Sequence, residues 1–532
     1  MFAQTLVTAI VMMLLSQGAD KARLSNAAMQ GDRAAVQALL KQNADVNAAQ
    51  GDGTTALHWA ASRDDLQMAE MLVKAGATAS AASRIGGITP LMLASQNGSA
   101  AMTRLLLDAG ADAKTASATG TTPLMLAAAA GNAEAIKTLL DRGAEVNAKD
   151  KTNGQTALMF AAALNRADAI KVLAERGAQL NVTSTVLEPT APTGARGAQG
   201  TGARPGRPGR GNAVLLGGLS ALHFAAREGQ MDAVRALVAA GANVNQVTDS
   251  DKLSIMTQAI INGHFDIAKF VLEHGGDPTL ASTGGLAPLF ATIDQRWAAR
   301  TWYPAANTDQ EKTSHIELMS ALLDRGADPN ALMGPKLWFR QFHGDWVDPT
   351  GATAFWRAAQ SNDVPAMKLL ISRGADPNIA TSHKSTPLQA AAGFGLEPQV
   401  SNFVPDARLA AIKFLVEDLH ANVNAKDDSG YTPLHGAALT ANNEVILYLV
   451  SKGANVKARA NMVFGRGDGG AQDINVAEGT GDTVADMANG PRAHNLVFPE
   501  TVTLLEKLGS ENSNDCRASI CNIKTAPNKP QQ

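Results

Sequence analysis

The sequence predicts an all-α solenoid of stacked helix–turn–helix units with projecting loops or short β-hairpins. Three observations carry that reading. An apolar residue recurs at Leu57, Leu91, Leu124 and Leu158, again at Leu222, Met256 and Leu289, and again at Phe355 and Leu388, always 33 or 34 residues apart. Each period holds two short apolar stripes at helical spacing, and glycine closes them. Helices this short bury too little surface alone, so each unit needs copies of itself on both sides.

The stretch from Gly120 to Asn147 shows how one unit is built. Thr122 is a natural N-cap, because its hydroxyl can accept from an orphan amide one turn on. Pro123 follows at the first helical position, where its missing N–H costs nothing. The helix runs through Leu124, Leu126 and Ala127 to Ala130. Gly131-Asn132 then ends it, since both tolerate the left-handed conformation of a helix C-terminus. A second helix from Ala133 places Ile136, Leu139 and Leu140 on one face, and Gly143 stops it.

The repeats resemble the ankyrin repeat, whose consensus carries T-P-L-H-x-A-A and then L-L-x-x-G-A-D-x-N. The first signature stands at Thr55-Ala56-Leu57-His58-Trp59-Ala60-Ala61, at Ser220-Ala221-Leu222-His223-Phe224-Ala225-Ala226 and at Thr432-Pro433-Leu434-His435. The second recurs as Gly110-Ala111-Asp112, Gly241-Ala242-Asn243-Val244-Asn245, Gly326-Ala327-Asp328-Pro329-Asn330 and Gly374-Ala375-Asp376-Pro377-Asn378. The likeness covers about Leu24 to Leu508, with degenerate capping units at both ends. It implies that His58, His223 and His435 are structural, bonding toward the neighbouring loop. It also implies a non-enzymatic scaffold that binds another protein.

Composition agrees. With 532 residues and 45% apolar content, the chain can fill several domains or one long array. A net charge of −3 argues against a dedicated polyanion binder, so no nucleic-acid partner is expected. Neither a metal nor a cofactor is expected: there is no H-x-x-x-H, no Walker loop and no G-x-S-x-G. The two cysteines, Cys516 and Cys521, lack haem or zinc spacing. They are read as a small terminal disulfide, with free thiols on the tail as the alternative.

Domain organisation follows from the breaks in the pattern. Leu6 to Leu15 (LVTAIVMMLL), followed by Ser16 and Gly18, has the length of a signal-peptide core and is too short to span a bilayer. Residues 1–18 are therefore expected to direct export from a bacterial cell, into the periplasm or beyond. A cytoplasmic location is the alternative, since no Lys or Arg precedes Lys21. No other segment has the length of a membrane span. Residues 19–182 and 218–461 are read as N-terminal and C-terminal repeats. Residues 183–217, rich in Gly, Pro and Arg, form a flexible loop or linker that divides the array. Residues 462–510 hold an insertion and a degenerate cap, and 511–532 a disordered tail.

Further insertions fall at 296–312, 333–351 and 393–406. Five of the six tryptophans lie between Trp297 and Trp356, in a chain with 4% aromatics. Aromatic and arginine side chains are the usual anchors of an interface. Trp297, Trp302, Tyr303, Trp338, Phe339, Arg340, Phe342 and Trp346 are therefore the expected partner-binding set. Rings packed on the solenoid are the alternative. Trp356 stands at the histidine position of its repeat and is expected in the core. A competing reading builds an enzyme or small-ligand site around residues 297–350, where Arg340, His343, Asp345 and Asp348 cluster. No nucleophile–base pair is visible there.

Overall fold

The computed structural model describes residues 22–187, 216–298, 308–334, 349–394, 402–463, 474–490, 496–513 and 516. Among them are 24 α-helices and two hairpins of two-residue strands, as the repeat pattern predicts. The chain divides into two compact units, Met1–Asp251 and Lys252–Gln532.

Unit 1 stacks six helix pairs. They are α1 (Arg23–Gln30) with α2 (Arg33–Lys41), α3 (Ala56–Ser62) with α4 (Leu66–Lys74), and α5 (Pro90–Gln96) with α6 (Ala100–Asp108). Then come α7 (Pro123–Ala130) with α8 (Ala133–Asp141), α9 (Ala157–Ala163) with α10 (Ala167–Glu175), and α11 (Ala221–Arg227) with α12 (Met231–Ala239). First helices pack on first helices and second on second. The local chemistry is the expected one: Thr122 Oγ1 accepts from Met125 N at 3.3 Å, and Gly131 caps α7 at φ 88°.

Residues 183–217 do not divide the array. Their ends pair as an antiparallel hairpin, β1 (Val186–Leu187) against β2 (Leu216–Gly217), and α9 packs directly on α11 and α10 on α12. Residues 188–215 lie outside the described residues, and the ends that flank them meet in this hairpin inside unit 1.

Unit 2 stacks α13 (Ile255–Ile261) with α14 (Phe265–Glu273), α15 (Pro288–Arg296) with α16 (His315–Asp324), and α17 (Ala354–Gln360) with α18 (Val364–Ser372). It continues through α19 (Pro387–Ala391) with α20 (Arg408–Lys413), which runs on as a π-helical turn over Phe414–Asp418. The pairs α21 (Pro433–Leu439) with α22 (Asn443–Ser451) and α23 (Val484–Ala488) with α24 (Pro499–Leu508) complete it. A second hairpin, β3 (Met462–Val463) on β4 (Ile474–Asn475), closes the base of the insertion after residue 462.

Two devices join neighbouring repeats, the second only where an asparagine ends the second signature. In the loops before the first helices, one backbone bond links successive fingers: Arg84 N to Asp52 O at 2.7 Å, Lys151 N to Thr119 O at 2.9 Å and, in unit 2, Ser382 N to Thr350 O at 2.7 Å. The asparagine of the second signature supplies the other. Asn47 Oδ1 accepts from Thr78 N at 2.7 Å, and its Nδ2 donates to Gly76 O at 3.2 Å. Asn147, Asn330 and Asn424 repeat both bonds. One amide side chain offers both a donor and an acceptor, so it satisfies an N–H and a C=O of the next unit together.

Candidate interaction site

The third helical position of each first helix faces the next repeat, and it explains the histidines. Thr55 N donates to His58 Nδ1 at 3.2 Å, which leaves Nε2 to carry the proton in the neutral ring. Nε2 then meets the carbonyl of Ile88, the residue before the next N-cap, at 3.0 Å. His223 and His435 accept from Ser220 N and Thr432 N in the same way. Burial lowers the pKa of His58, and it pushes His435 down to about 4.

Other residues take over the bridge where histidine is missing. Gln389 Nε2 donates to Tyr431 O at 2.7 Å. Trp356, 1% exposed, donates from Nε1 to Ser385 O at 3.0 Å, so its indole N–H replaces the imidazole N–H and the ring is core, as its register implied.

The insertion between α15 and α16 is pinned by a buried charged cluster. Asp294 Oδ1 accepts from Arg357 Nε at 2.8 Å, with both side chains almost wholly enclosed. Arg357 also donates from Nη2 to the Trp297 carbonyl at 2.7 Å and from Nη1 to the Ser361 hydroxyl. Asp363, 2% exposed, collects three donors: Trp297 Nε1 at 2.8 Å, His315 Nε2 at 2.8 Å and, as N-cap of α18, Ala366 N at 3.0 Å. Burial would raise the pKa of this carboxyl. The bonds from His315, Ala366 N and Trp297 outweigh it and hold the group below the usual carboxylate range. The Trp297 ring stands edge-on to His315, at 6.2 Å and 81°, with the Arg296 guanidinium 5.0 Å above it.

Both ends of the insertion therefore grip the following repeat, Trp297 from one side and His315 from the other. Of the expected partner-binding set, Trp297 is the one that lies among the described residues. It is half-buried, and its N–H is committed to Asp363. Trp302, Tyr303, Trp338, Phe339, Arg340, Phe342 and Trp346 lie outside the described residues, as do His343, Asp345 and Asp348. Cys516 is disulfide-bonded, while Cys521 lies outside them too. Among the described residues no cluster of His, Cys, Asp and Glu could hold a metal ion, and no helix is long and apolar enough to cross a membrane.

Sequence reasoning missed Asp294, Arg357 and Asp363. Asp363 carried a faint signal: it occupies the second-helix N-cap that Asp65, Ser99 and Asn132 occupy elsewhere.

Comparison with known proteins agrees with this architecture. The family described as "Ankyrin repeats (3 copies)" matches residues 24–117, 91–184, 206–282 and 355–460. The Arabidopsis thaliana E3 ubiquitin-protein ligase KEG is 26% identical over 250 residues, 42% of this chain and 14% of that protein. Human neurogenic locus notch homolog protein 1 is 31% identical over 136 residues, 22% of this chain and 5% of its own length. A putative ankyrin repeat-containing protein of Treponema pallidum is 31% identical over 112 residues, 21% of this chain and 32% of its own. The chain thus spans a minor part of each relative. Ankyrin repeats generally mediate protein–protein interaction. With matched segments over more than half its length, and with the finger ladder and the asparagine bridges in place, this chain belongs to the ankyrin-repeat family.

Proposed function

We propose that this chain is a non-enzymatic scaffold, exported from a bacterial cell, that holds another protein. The contact falls on the face lined by first helices and fingers, together with the aromatic segments 299–307 and 335–348. The observation that carries this reading is the clamp at Asp363. A loop that only bridges two helices needs no buried carboxylate fixing its two ends, whereas a binding loop gains from preorganisation. Tryptophan, tyrosine and arginine on such a loop have the chemistry of interface anchors.

Cross-linking capture from intact source cells tests it, comparing wild type with a chain lacking 299–307 and 335–348. Trp297 and His315 stay in place, so the clamp survives. A partner lost only by the shortened chain, with unchanged circular dichroism, supports the aromatic site. The same partner caught by both moves the contact to the regular repeats. Export is tested by the mass of the chain recovered from cells: removal of residues 1–18 supports it, and an intact Met1 in the cytoplasm sinks it.

A further inference from the structure

A cleft of about 300 Å³ opens in unit 2 beside α20, with Phe403, Val404, Leu409 and Thr440 in its walls. Its floor is Arg408, 8% exposed. Nη1 donates to Thr440 Oγ1 at 2.5 Å and to the Ala392 carbonyl at 3.4 Å, and the guanidinium lies 5.3 Å from the Phe403 ring centre. Nε and Nη2 donate to no described residue, and no described carboxylate pairs with the charge. Burial draws the pKa down to about 10.

The backbone is shaped around this group. Gly393 sits at φ +107°, and a Cβ there would come within 2.5 Å of Arg408 Nη1 and 2.7 Å of Thr440. The two carboxylates of the cleft, Asp406 and Glu444, are exposed at its rim. A buried guanidinium with spare donors and no counter-ion among the described residues is a standing cost to the fold, and a bound anion removes it. Planar donors in a fork match a carboxylate.

We propose that this cleft receives a carboxylate presented by a partner polypeptide, with Arg408 as its counter-ion and Phe403 and Leu409 packing the attached carbon chain. The proposal deepens the protein-binding reading at a place separate from the aromatic insertions.

Calorimetric titration of the full chain tests it with two pentapeptides. One carries a single internal glutamate between blocked ends, and the other has no acidic side chain but a free C-terminus. Their amide counterparts, glutamine and a C-terminal amide, serve as controls. The expected result is that one carboxylate peptide binds at least tenfold tighter than its amide, which identifies side chain or C-terminus as the source. Arg408→Met should abolish the difference. Should that variant fail to fold, phenylglyoxal labelling of the wild type replaces it: the binding peptide should slow modification of Arg408 severalfold. Equal affinity for carboxylates and amides, or unprotected labelling, overturns the proposal. Captured cellular partners with inert peptides would sink this inference alone. Peptide binding without any captured protein would instead leave the cleft standing and remove the scaffold reading.

Discussion

The two units solve the same joining problem differently. In unit 1 the enclosed joints between repeats are mostly neutral groups: finger backbones, asparagine amides and the His58 bridge. Its ion pairs between repeats keep at least one exposed partner: Arg142 with Asp108, Arg176 with Asp141, and half-exposed Arg33 on buried Asp65. Unit 2 keeps the neutral devices and adds buried charge, Arg357 on Asp294 and His315 on Asp363, where an insertion has replaced the tight interhelical turn. A glycine turn such as Gly131 fixes the second helix through local geometry alone. Without that turn the helix start must be held from elsewhere, and strong directional groups on the following repeat hold it.

Substitutions that separate buried from exposed charge probe this contrast. Arg357→Met takes the guanidinium away from buried Asp294, so unit 2 should lose about 3–5 kcal/mol in urea unfolding. The matching Arg142→Met in unit 1 should cost no more than about 0.5 kcal/mol. Equal losses would mean that burial of the pair does not set its worth.

Protonation of His435 should weaken unit 2 next. The folded-state pKa of His435 is near 4, below its ordinary value of 6.5, so between these limits the unfolded chain binds more protons. Its contribution is complete above pH 6.5 and is lost as pH falls through 4, a change on the order of 3 kcal/mol. Asp427, pushed up to about 7 by burial, acts in the opposite sense as pH falls, so the His435 part is read by difference: between pH 6.5 and 4 the urea midpoint of the wild type should drop further than that of His435→Gln. An unchanged slope in the variant would assign the acid response to other groups.

Trp356→Phe removes the indole N–H and leaves the Ser385 carbonyl with Thr381 N as its donor, for a loss of about 1 kcal/mol. A change within error would mean that the ring's packing is enough. Asn132→Ala in unit 1 deletes the cap that accepts from Ala135 N and should cost about 1 kcal/mol.

Much of this was legible in the sequence because the repeat is local. Thr122, Pro123 and Gly131 act within one turn of themselves, and the period places Trp356 in register with His58. The charged clamp was not legible. Asp363 meets Trp297 across 66 residues, and its partners follow no period because an insertion supplies them. Arg408 was hidden for a related reason: it follows a non-periodic loop, and only the packed structure shows that no described carboxylate pairs with it. The Gly/Pro/Arg-rich segment misled through composition, since its ends meet in the hairpin at Val186 and Gly217 that composition cannot show.

The finger ladder has a mechanical consequence. Each finger is tied to its neighbour by a single backbone bond, as at Arg84 to Asp52 and Ser382 to Thr350. Tension applied along either unit loads these ties one after another, never as a parallel set. A chain pulled from one end should therefore peel in steps, each releasing about 33 residues, or roughly 100 Å of contour. Under load such a protein yields by paying out length at modest force, and the repeats still docked keep their grip while it does so.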